Sequence, residues 1–412
     1  MSDQPIPRRR AALVYIFITI VIDMLSFGII IPVLPKLIVS FSGGNIQQAS
    51  VMSGILATCW AFMQFAASPV LGVLSDRFGR RPVILISNFG LAVDYVIMAL
   101  APSLGWLFVG RIASGATAAN MVTAGAYIAD VTPIDKRAAG FGIIGAAFGI
   151  GFILGPALGG VLGDIGLRVP FWVAAALTLA NALYGLFVLP ESLPQEKRST
   201  TLAWGRANPL GSLKLLRSHH ELFGLAAVNL ISYTAHQAFG IWVLYTIYRY
   251  NWSTATNGLS LALVGAVSIV VSMVLVRHSV ARFGERPTLL LGLAFGATGF
   301  LAFGLSVHVA LFWSGIVLCS LWGLMGPASQ SIMSQCVKPT EQGELQGAIN
   351  SIRGLATLIG PLPFAFVFAT FISPQHLLPG APWLLASTLL FIALVLAAWV
   401  TRRSARIVAQ EA

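Results

Sequence analysis

Long runs of hydrophobic residues follow one another along most of the 412-residue chain, separated by short polar, glycine-containing or proline-containing breaks. One helix needs about 20 apolar residues to cross a bilayer core. The runs are continuously apolar, whereas strands of a membrane barrel alternate between apolar and polar positions. The pattern predicts about twelve membrane-spanning helices, at residues 12–34, 51–71, 83–101, 104–127, 140–162, 170–189, 222–247, 257–276, 288–306, 309–333, 345–370 and 381–400.

The composition supports this interpretation. The chain is 57% hydrophobic and 9% charged, and its mean hydropathy is +0.84. These values lie outside the range of an average soluble domain. We therefore expect a multi-pass membrane protein with the lipid bilayer as a partner and without a sizeable soluble domain.

The basic residues lie mainly on one side of the predicted spans. Of 25 Lys and Arg, 20 fall at one membrane face, and only Lys36, Arg168 and Arg249 fall at the other. The positive-inside rule then places both termini in the cytoplasm. Juxtamembrane cations also explain the net charge of +11 without a nucleic-acid partner.

The sequence contains an internal repeat. LSDRFGRRPVILI at 74–86 recurs as SVARFGERPTLLL at 279–291, and the same offset of 205 residues carries Gly155 and Pro156 onto Gly360 and Pro361. We predict two pseudo-symmetric six-helix bundles, residues 1–189 and 221–412, joined by a cytoplasmic linker at 190–220. Such repeats are typical of transporters that rock around a site between them.

Two motifs stand out in the first half. In GVLSDRFGRRP at 72–82, Gly72 allows close helix packing, Gly79 allows the positive φ of a tight turn, and Asp76 can accept hydrogen bonds from guanidinium groups. We predict a cytoplasmic gating loop formed by Gly72, Asp76, Arg77, Gly79, Arg80 and Arg81. The alternative is an ordinary turn whose arginines only set topology.

The second motif is a series of small residues in predicted helix 5. Small residues let membrane helices approach closely, and an embedded proline favours a bend. The spacing predicts tight packing against a neighbouring helix. The residues are Gly142, Gly151, Gly155, Pro156, Gly159 and Gly160.

Two of the fourteen acidic residues, Asp23 and Asp94, lie near mid-span. A charge there costs roughly 2.5 to 3.5 kcal/mol, and burial favours the neutral carboxyl group, so such an acid can bind and release protons near neutral pH. We predict that Asp23 takes up a proton from the acidic side and releases it toward the cytoplasm. The alternatives for both acids are a structural hydrogen bond to another helix or a pair with a buried arginine.

Other polar residues in predicted spans are candidates for proton coupling or for a substrate cavity. Arg111 can favour ionisation of a nearby acid, while Arg353 either faces the cavity or extends to cytoplasmic headgroups. Polar and aromatic candidates instead bridge helices in the alternative interpretation. The cavity candidates are Gln64, Asn120, Tyr233, His236, Gln237, Trp242, Gln330, Asn350 and Arg353.

These motifs resemble those of the major facilitator superfamily. The loop at 72–82 and its weaker copy at 279–287 resemble the family's signature loop, and Arg111 followed by Gly115 resembles its membrane-embedded arginine. The resemblance implies the major facilitator fold, all-α with twelve transmembrane helices. The glycine pattern of helix 5 marks antiporters in that family, where it seals the halves against leak.

The narrower likeness is to tetracycline/proton antiporters of the twelve-helix drug-efflux branch, through DMLSFGIIIPVLP at 23–35, GRIASGATAANMVTAGAYIAD at 110–130 and WVLYTIYRYNW at 242–252. It implies that Asp23 and Asp94 match important membrane acids. Those exporters typically carry a histidine in helix 8 and an aspartate in helix 9, near which this chain has Ser268 and Gly296. A divalent metal such as magnesium is therefore expected only if the cargo is a metal–tetracycline chelate.

Taken together, the sequence predicts a proton-driven efflux antiporter for small amphipathic organic compounds, monomeric and located in a bacterial inner membrane. The alternative is a symporter or uniporter for a native metabolite or lipid. An enzyme would need a nucleophile and base, or a cluster of metal ligands, at a common depth, and the sequence supplies neither. Cys59, Cys319 and Cys336 lack metal-ligand spacing, so no cofactor, metal site or disulfide framework is expected beyond the coupling protons.

Overall fold

The computed structural model describes residues 6–118, 120–133, 137–200, 211, 213–217 and 220–402. All regular elements in these ranges are helical, which confirms the all-α prediction. The α-helices are α1 (Ile6–Ile30), α2 (Leu34–Phe41), α3 (Ile46–Phe78), α4 (Arg80–Leu100), α5 (Leu104–Thr117), α6 (Asn120–Val131), α7 (Arg137–Ile165), α8 (Val169–Val188), α9 (Leu213–Leu216), α10 (His220–His236), α11 (Trp242–Tyr250), α12 (Thr254–Val270), α13 (Val276–Phe283), α14 (Glu285–Leu305), α15 (Val309–Ser320), α16 (Met325–Gln335), α17 (Gln342–Ile359), α18 (Pro361–Phe371) and α19 (Ala381–Val400).

Within the described residues, ten helical stretches are long and apolar enough to cross a membrane. The predicted spans at 104–127 and 222–247 are not among these ten. The first is divided between α5 and α6, and a 3-10 turn at Gln237–Ile241 separates α10 from α11. The total of twelve crossings therefore stays a prediction.

The gating motif is more helical than its sequence indicates. Helix α3 continues to Phe78 and α4 begins at Arg80, so residues 72–78 belong to a helix and Gly79 alone separates the two. Hydropathy predicts only the apolar part of a helix, whereas backbone hydrogen bonds extend through its polar end. The predicted loop is wrong in extent, but the tight turn is confirmed.

The repeat is visible in the backbone. Gly79 has φ +105°, and Gly284, 205 residues later, has φ +83°. Both residues stand between two consecutive helices, where only glycine adopts such a conformation without strain. The two copies of the motif therefore form the same turn.

The chain divides into two compact units. The first comprises Met1–Asn45, Cys59–Asn208 and Trp252–Ala262, and the second comprises Ile46–Thr58, Pro209–Asn251 and Leu263–Ala412. Each unit thus takes most of one predicted half and a short segment of the other. The predicted boundaries at 189 and 221 divide the chain by its order in sequence. They cannot show that a short segment of each half packs with the other half's unit.

An aromatic cluster fills part of the second unit. Trp242 is buried, with its ring centroid 4.7 Å from that of Phe312 and 5.3 Å from that of Phe303. Trp383 packs edge-on to Trp242 at 6.0 Å. Aromatic pairs in this geometry add to the stability provided by burial. Phe303 of this cluster also lines a cavity of the second unit.

Candidate functional site

Asp23 lies on α1 inside the first unit, and only 4% of its surface is exposed. The Asn181 amide on α8 donates a hydrogen bond to Asp23 Oδ1 at 3.4 Å, and Thr19 Oγ1 donates to Asn181 Oδ1 at 3.2 Å. A void of about 10 Å³ borders Asp23 and Thr19, close to the minimum volume for one water molecule. The carboxyl group is therefore buried in protein and points away from lipid.

Asp94 on α4 pairs with Arg111 on α5. Asp94 is completely buried and Arg111 is 7% exposed. Arg111 Nη2 lies 3.0 Å from Asp94 Oδ2, and it also contacts Met98 Sδ at 3.3 Å. Of the alternatives given for Asp94 from the sequence, the structure shows the pair with a buried arginine.

The glycine series of α7 packs against the backbone of α1. A Cβ added at Gly155 would lie 2.7 Å from Gly28 Cα and 2.8 Å from the Leu25 carbonyl oxygen. Gly151 and Gly159 are equally tight against Met24 and Ile29. The predicted close packing is confirmed at these positions, and its partner is the helix that carries Asp23.

Two predicted packing glycines do not behave in this way. A Cβ added at Gly72 or at Gly142 meets no atom within 4 Å among the described residues. The described residues therefore show no close packing at these two positions. The spacing of glycines identifies a packing helix, but it does not tell which of them face a neighbour.

The end of α7 contacts the start of α12 inside the first unit. A Cβ added at Gly160 would lie 3.0 Å from Gly258 Cα. The Asp164 carboxylate accepts hydrogen bonds from the backbone N–H groups of Thr254, at 3.0 Å, and Ala255, at 3.2 Å. A carboxylate at a helix N-terminus satisfies free donors and complements the helix dipole.

We predict that Gly155→Ala destabilises the protein by about 3 kcal/mol or more, because the added methyl group meets backbone that cannot turn aside. Gly142→Ala is the matched control, since it alters the same helix and motif at an open position. Thermal unfolding in detergent measures both. Equal melting temperatures for the two variants would contradict the packing argument.

The motif at 72–82, predicted as a gating loop, forms an ion-pair cluster around Arg80. Arg80 Nη1 lies 2.6 Å from Asp76 Oδ1, and Arg80 Nε lies 3.2 Å from Asp130 Oδ2 on α6. Ser192 Oγ also donates to Asp130 Oδ2 at 3.1 Å. Arg81 Nη2 instead donates to the Leu186 carbonyl at 2.6 Å. The motif therefore connects α3, α4, α6 and the segment after α8.

Glu191 holds the other side of this cluster. Its Oε1 accepts hydrogen bonds from the backbone N–H groups of Arg80, Ser192 and Leu193 at 2.8 to 3.1 Å, and its Oε2 accepts one from Arg81 at 3.3 Å. The bonds from the backbone N–H groups of Arg80 and Arg81 place a carboxylate at the N-terminus of α4. Sequence reasoning missed Glu191, Asp130 and Asn181, because each is an ordinary polar residue whose partner lies at least 50 residues away.

Replacing Glu191 with glutamine should lower the free energy of unfolding by about 1 to 3 kcal/mol, because hydrogen bonds to a charged acceptor are the strong ones. Glu196→Gln is the control, since Glu196 is exposed in the same segment. Chemical denaturation of the two variants gives the difference. A glutamine variant as stable as the control would mean that the cap contributes nothing.

The second half keeps this arrangement with different chemistry. Glu285 and Gln335 stand 205 residues after Arg80 and Asp130, and Gln335 Nε2 donates to both Glu285 carboxylate oxygens, at 3.0 and 2.8 Å. The two equivalent positions are in contact in both halves, but the ion pair of the first half is replaced by a glutamine–glutamate hydrogen bond in the second. The cluster of ion pairs described above belongs to the first unit.

Three of the predicted substrate residues lie around one cavity in the second unit. Tyr233 and His236 line it, and the Arg353 guanidinium lies over the Tyr233 ring at 5.0 Å with Nη2 3.4 Å from Tyr233 Oη. Trp322, which is not among the cavity candidates from the sequence, also lines this cavity.

The other predicted cavity residues are placed differently. Gln237 packs against Gly360 and donates to the Tyr233 carbonyl at 3.3 Å, and Trp242 belongs to the buried aromatic cluster. Gln330 bonds Gln346 at 3.1 Å. Asn350 is exposed, Gln64 is half-buried in the first unit, and the Asn120 side chain lies outside the described residues.

The positions that differ from tetracycline exporters have structural explanations. Ser268 lines the cavity of the second unit. A Cβ added at Gly296 would lie 2.8 Å from Trp322 Cγ and 2.7 Å from Leu390 Cδ1. An indole ring therefore fills the space that an acidic side chain would need there.

The cysteines are free thiols. Cys336, beyond the end of α16, has its pKa raised to about 11 by burial and by the nearby Glu221 carboxylate, so it stays protonated at neutral pH. Among the described residues no group of three or more His, Cys, Asp or Glu could hold a metal ion.

Comparison with known proteins agrees with this architecture. Residues 16–361 match the Major Facilitator Superfamily. The chain is 36% identical to the class C tetracycline resistance protein of Escherichia coli, over 93% of this chain and 95% of that protein. It is 31% identical to the class H tetracycline resistance protein of Pasteurella multocida, over 95% and 97% of the two chains.

A solved structure gives the same fold. The crystal structure of the human organic anion transporter MFSD10 superimposes with a TM-score of 0.70 at 24% identity, covering 96% of this chain and 100% of that one. At this identity the likeness concerns the fold alone. The helical architecture, the repeated glycine turns and the match over residues 16–361 together show that this chain belongs to the major facilitator superfamily, with tetracycline efflux proteins among its relatives.

Proposed function

We propose that this protein is a proton-coupled antiporter that exports small amphipathic organic compounds, tetracycline-like or of several drug classes, across a bacterial inner membrane. The names of the relatives support drug export. The observation that carries proton coupling is the burial of Asp23 on a helix whose backbone packs against the glycines of α7.

In this mechanism Asp23 alternates between a protonated and an ionised state. The neutral carboxyl group is favoured while the site is closed to water, and access from the cytoplasm lets the proton leave. Each proton that moves inward releases about 2.3 kcal/mol per 100 mV of membrane potential, in addition to any pH gradient. Coupling requires that proton and cargo binding affect one another, directly or through the conformational equilibrium.

The Asp94–Arg111 pair and the cavity candidates belong to the same proposal. Arg111, 3.0 Å from Asp94, stabilises the ionised form of that carboxyl group. The proton affinity of Asp94 therefore depends on whether this ion pair is intact. Protons are the coupling ion and no resident cofactor is proposed. A divalent metal enters only as part of a chelated cargo. We also propose twelve crossings, cytoplasmic termini and a monomer.

Transport into inside-out vesicles tests the function. An imposed gradient with the vesicle interior acidic should drive accumulation of tetracycline, with or without magnesium, or of an amphipathic aromatic dye. Collapsing the gradient with an ionophore should abolish accumulation. If the gradient drives the compounds out of the vesicle lumen, or has no effect on a measurable flux, the protein is a symporter or a uniporter instead.

A further inference from the structure

The second unit contains a cavity of about 230 Å³. Its walls come from α10, the 3-10 turn at Gln237–Ile241, α12, α14, α15, the turn at Leu321–Leu324 and α16. Sites for drug-sized ligands measure about 300 to 1,000 Å³. A smaller volume fits a single fused ring system or one part of a larger compound.

Aromatic rings form one side of this cavity. The His236 ring centroid lies 5.6 Å from that of Trp322 and 5.1 Å from that of Phe239. The indole is held in place because Trp322 Nε1 donates to Ser232 Oγ at 3.2 Å and the ring packs on Gly296. Such a fixed wall offers flat faces for stacking without loss of side-chain freedom.

Two polar side chains in the cavity wall have unused hydrogen-bonding groups. His236 is exposed and Ser268 is half-buried, and both line the cavity. Neither side chain takes part in a hydrogen bond within the described part of the chain. A ligand with an oxygen or nitrogen acceptor would satisfy them, and specificity in apolar sites commonly comes from a few such groups.

The described lining of the cavity contains no acidic residue. One cation, Arg353, contacts the lining residue Tyr233. A cationic ligand would lose its hydration here without gaining an anionic partner, and a divalent cation would lack carboxylate ligands from the wall.

We propose that this cavity binds the aromatic part of the cargo, and that the cargo is an uncharged or anionic planar compound without a bound divalent cation. This inference rests on the proposed export function, whose substrate class it names. Trp322 provides the stacking face, while His236 and Ser268 hydrogen-bond the polar edge of the compound.

Equilibrium binding to the purified protein in detergent, with a chelator present, tests the proposal. The probes are 2-naphthoate, 2-naphthol and 2-naphthylmethylammonium, which share a ring system and differ in charge. Calorimetry should show that the anion and the neutral compound bind at least about tenfold more tightly than the cation. Trp322→Ala should weaken binding of the first two by about tenfold, whereas Trp106→Ala, at an exposed tryptophan of the first unit, should not.

Charge reversal at the cavity wall gives a second, independent measurement. Ser268→Asp should invert the order, so that the ammonium probe binds most tightly and the carboxylate probe binds least. Ser268→Asn is the size-matched control and should keep the original order. Ser268→Asp leaves the aromatic wall intact. It therefore tests the charge preference of the cavity even if the Trp322→Ala variant does not fold.

The proposal fails if the ammonium probe binds to the parent protein as tightly as the carboxylate, or if Ser268→Asp leaves the order unchanged. These measurements use no gradient, so they are separate from the test of proton-driven export. Export in vesicles without naphthyl binding would overturn this inference alone. Charge-selective binding without proton-driven export would overturn the proposed antiport and leave the cavity assignment standing.

Discussion

Asp23→Asn is expected to abolish substrate-induced proton release, while the variant stays folded and still binds cargo. The asparagine side chain has the same shape and keeps an oxygen that can accept the hydrogen bond from Asn181, now 3.4 Å from Asp23 Oδ1. It cannot bind and release a proton in the accessible pH range. The loss should therefore concern coupling and not structure.

The measurement uses purified protein in weakly buffered detergent solution, with a pH indicator and saturating cargo. Asp23→Glu serves as a control, because it keeps a carboxyl group at the cost of one additional methylene in a tightly packed place. It should restore part of the signal. Undiminished proton release from Asp23→Asn would show that another group carries the proton.

Asp94→Asn should reduce the free energy of unfolding by about 3 to 5 kcal/mol, because it leaves the Arg111 guanidinium buried without its anion. Arg111→Gln should be similarly destabilising for the converse reason. The double variant removes both charges and should be markedly more stable than the sum of the two single effects predicts.

Denaturant unfolding of the four proteins yields the coupling energy between the two positions. A large coupling energy identifies the pair as a structural connection between α4 and α5. Additive effects would contradict that role. In that case the ion pair contributes little to the fold, and Asp94 remains available as a second proton carrier.

The sequence predicts those features that depend on single residues in unusual surroundings. An aspartate within an apolar run is visible without knowing its partner, so Asp23 and Asp94 could be selected from the chain alone. The turn at Gly79 could be predicted for the same reason, because its positive φ needs glycine. Partner residues such as Asn181 and Glu191 could not, since their side chains resemble any other polar group until the helices are packed.

Two of the predicted cavity residues, Gln237 and Trp242, do not line the cavity of the second unit. Gln237 and Trp242 follow His236 within six residues, and a continuous α-helix would place them by a repeat of 3.6 residues. The 3-10 turn at Gln237–Ile241 has three residues per turn. It therefore changes the direction around the helix axis in which the side chains after it point. Trp242 therefore enters the aromatic core instead of the cavity.

Helix α8 connects the Asp23 site to the ion-pair cluster around Arg80. Asn181, which binds Asp23, lies seven residues before its end at Val188, and Glu191 follows three residues later. At 1.5 Å per residue the helical part of this separation is about 10 Å. A stiff rod transmits an axial shift from one end to the other. A fluorescent label beside Glu191 would consequently report events at a carboxyl group that no dye can reach directly.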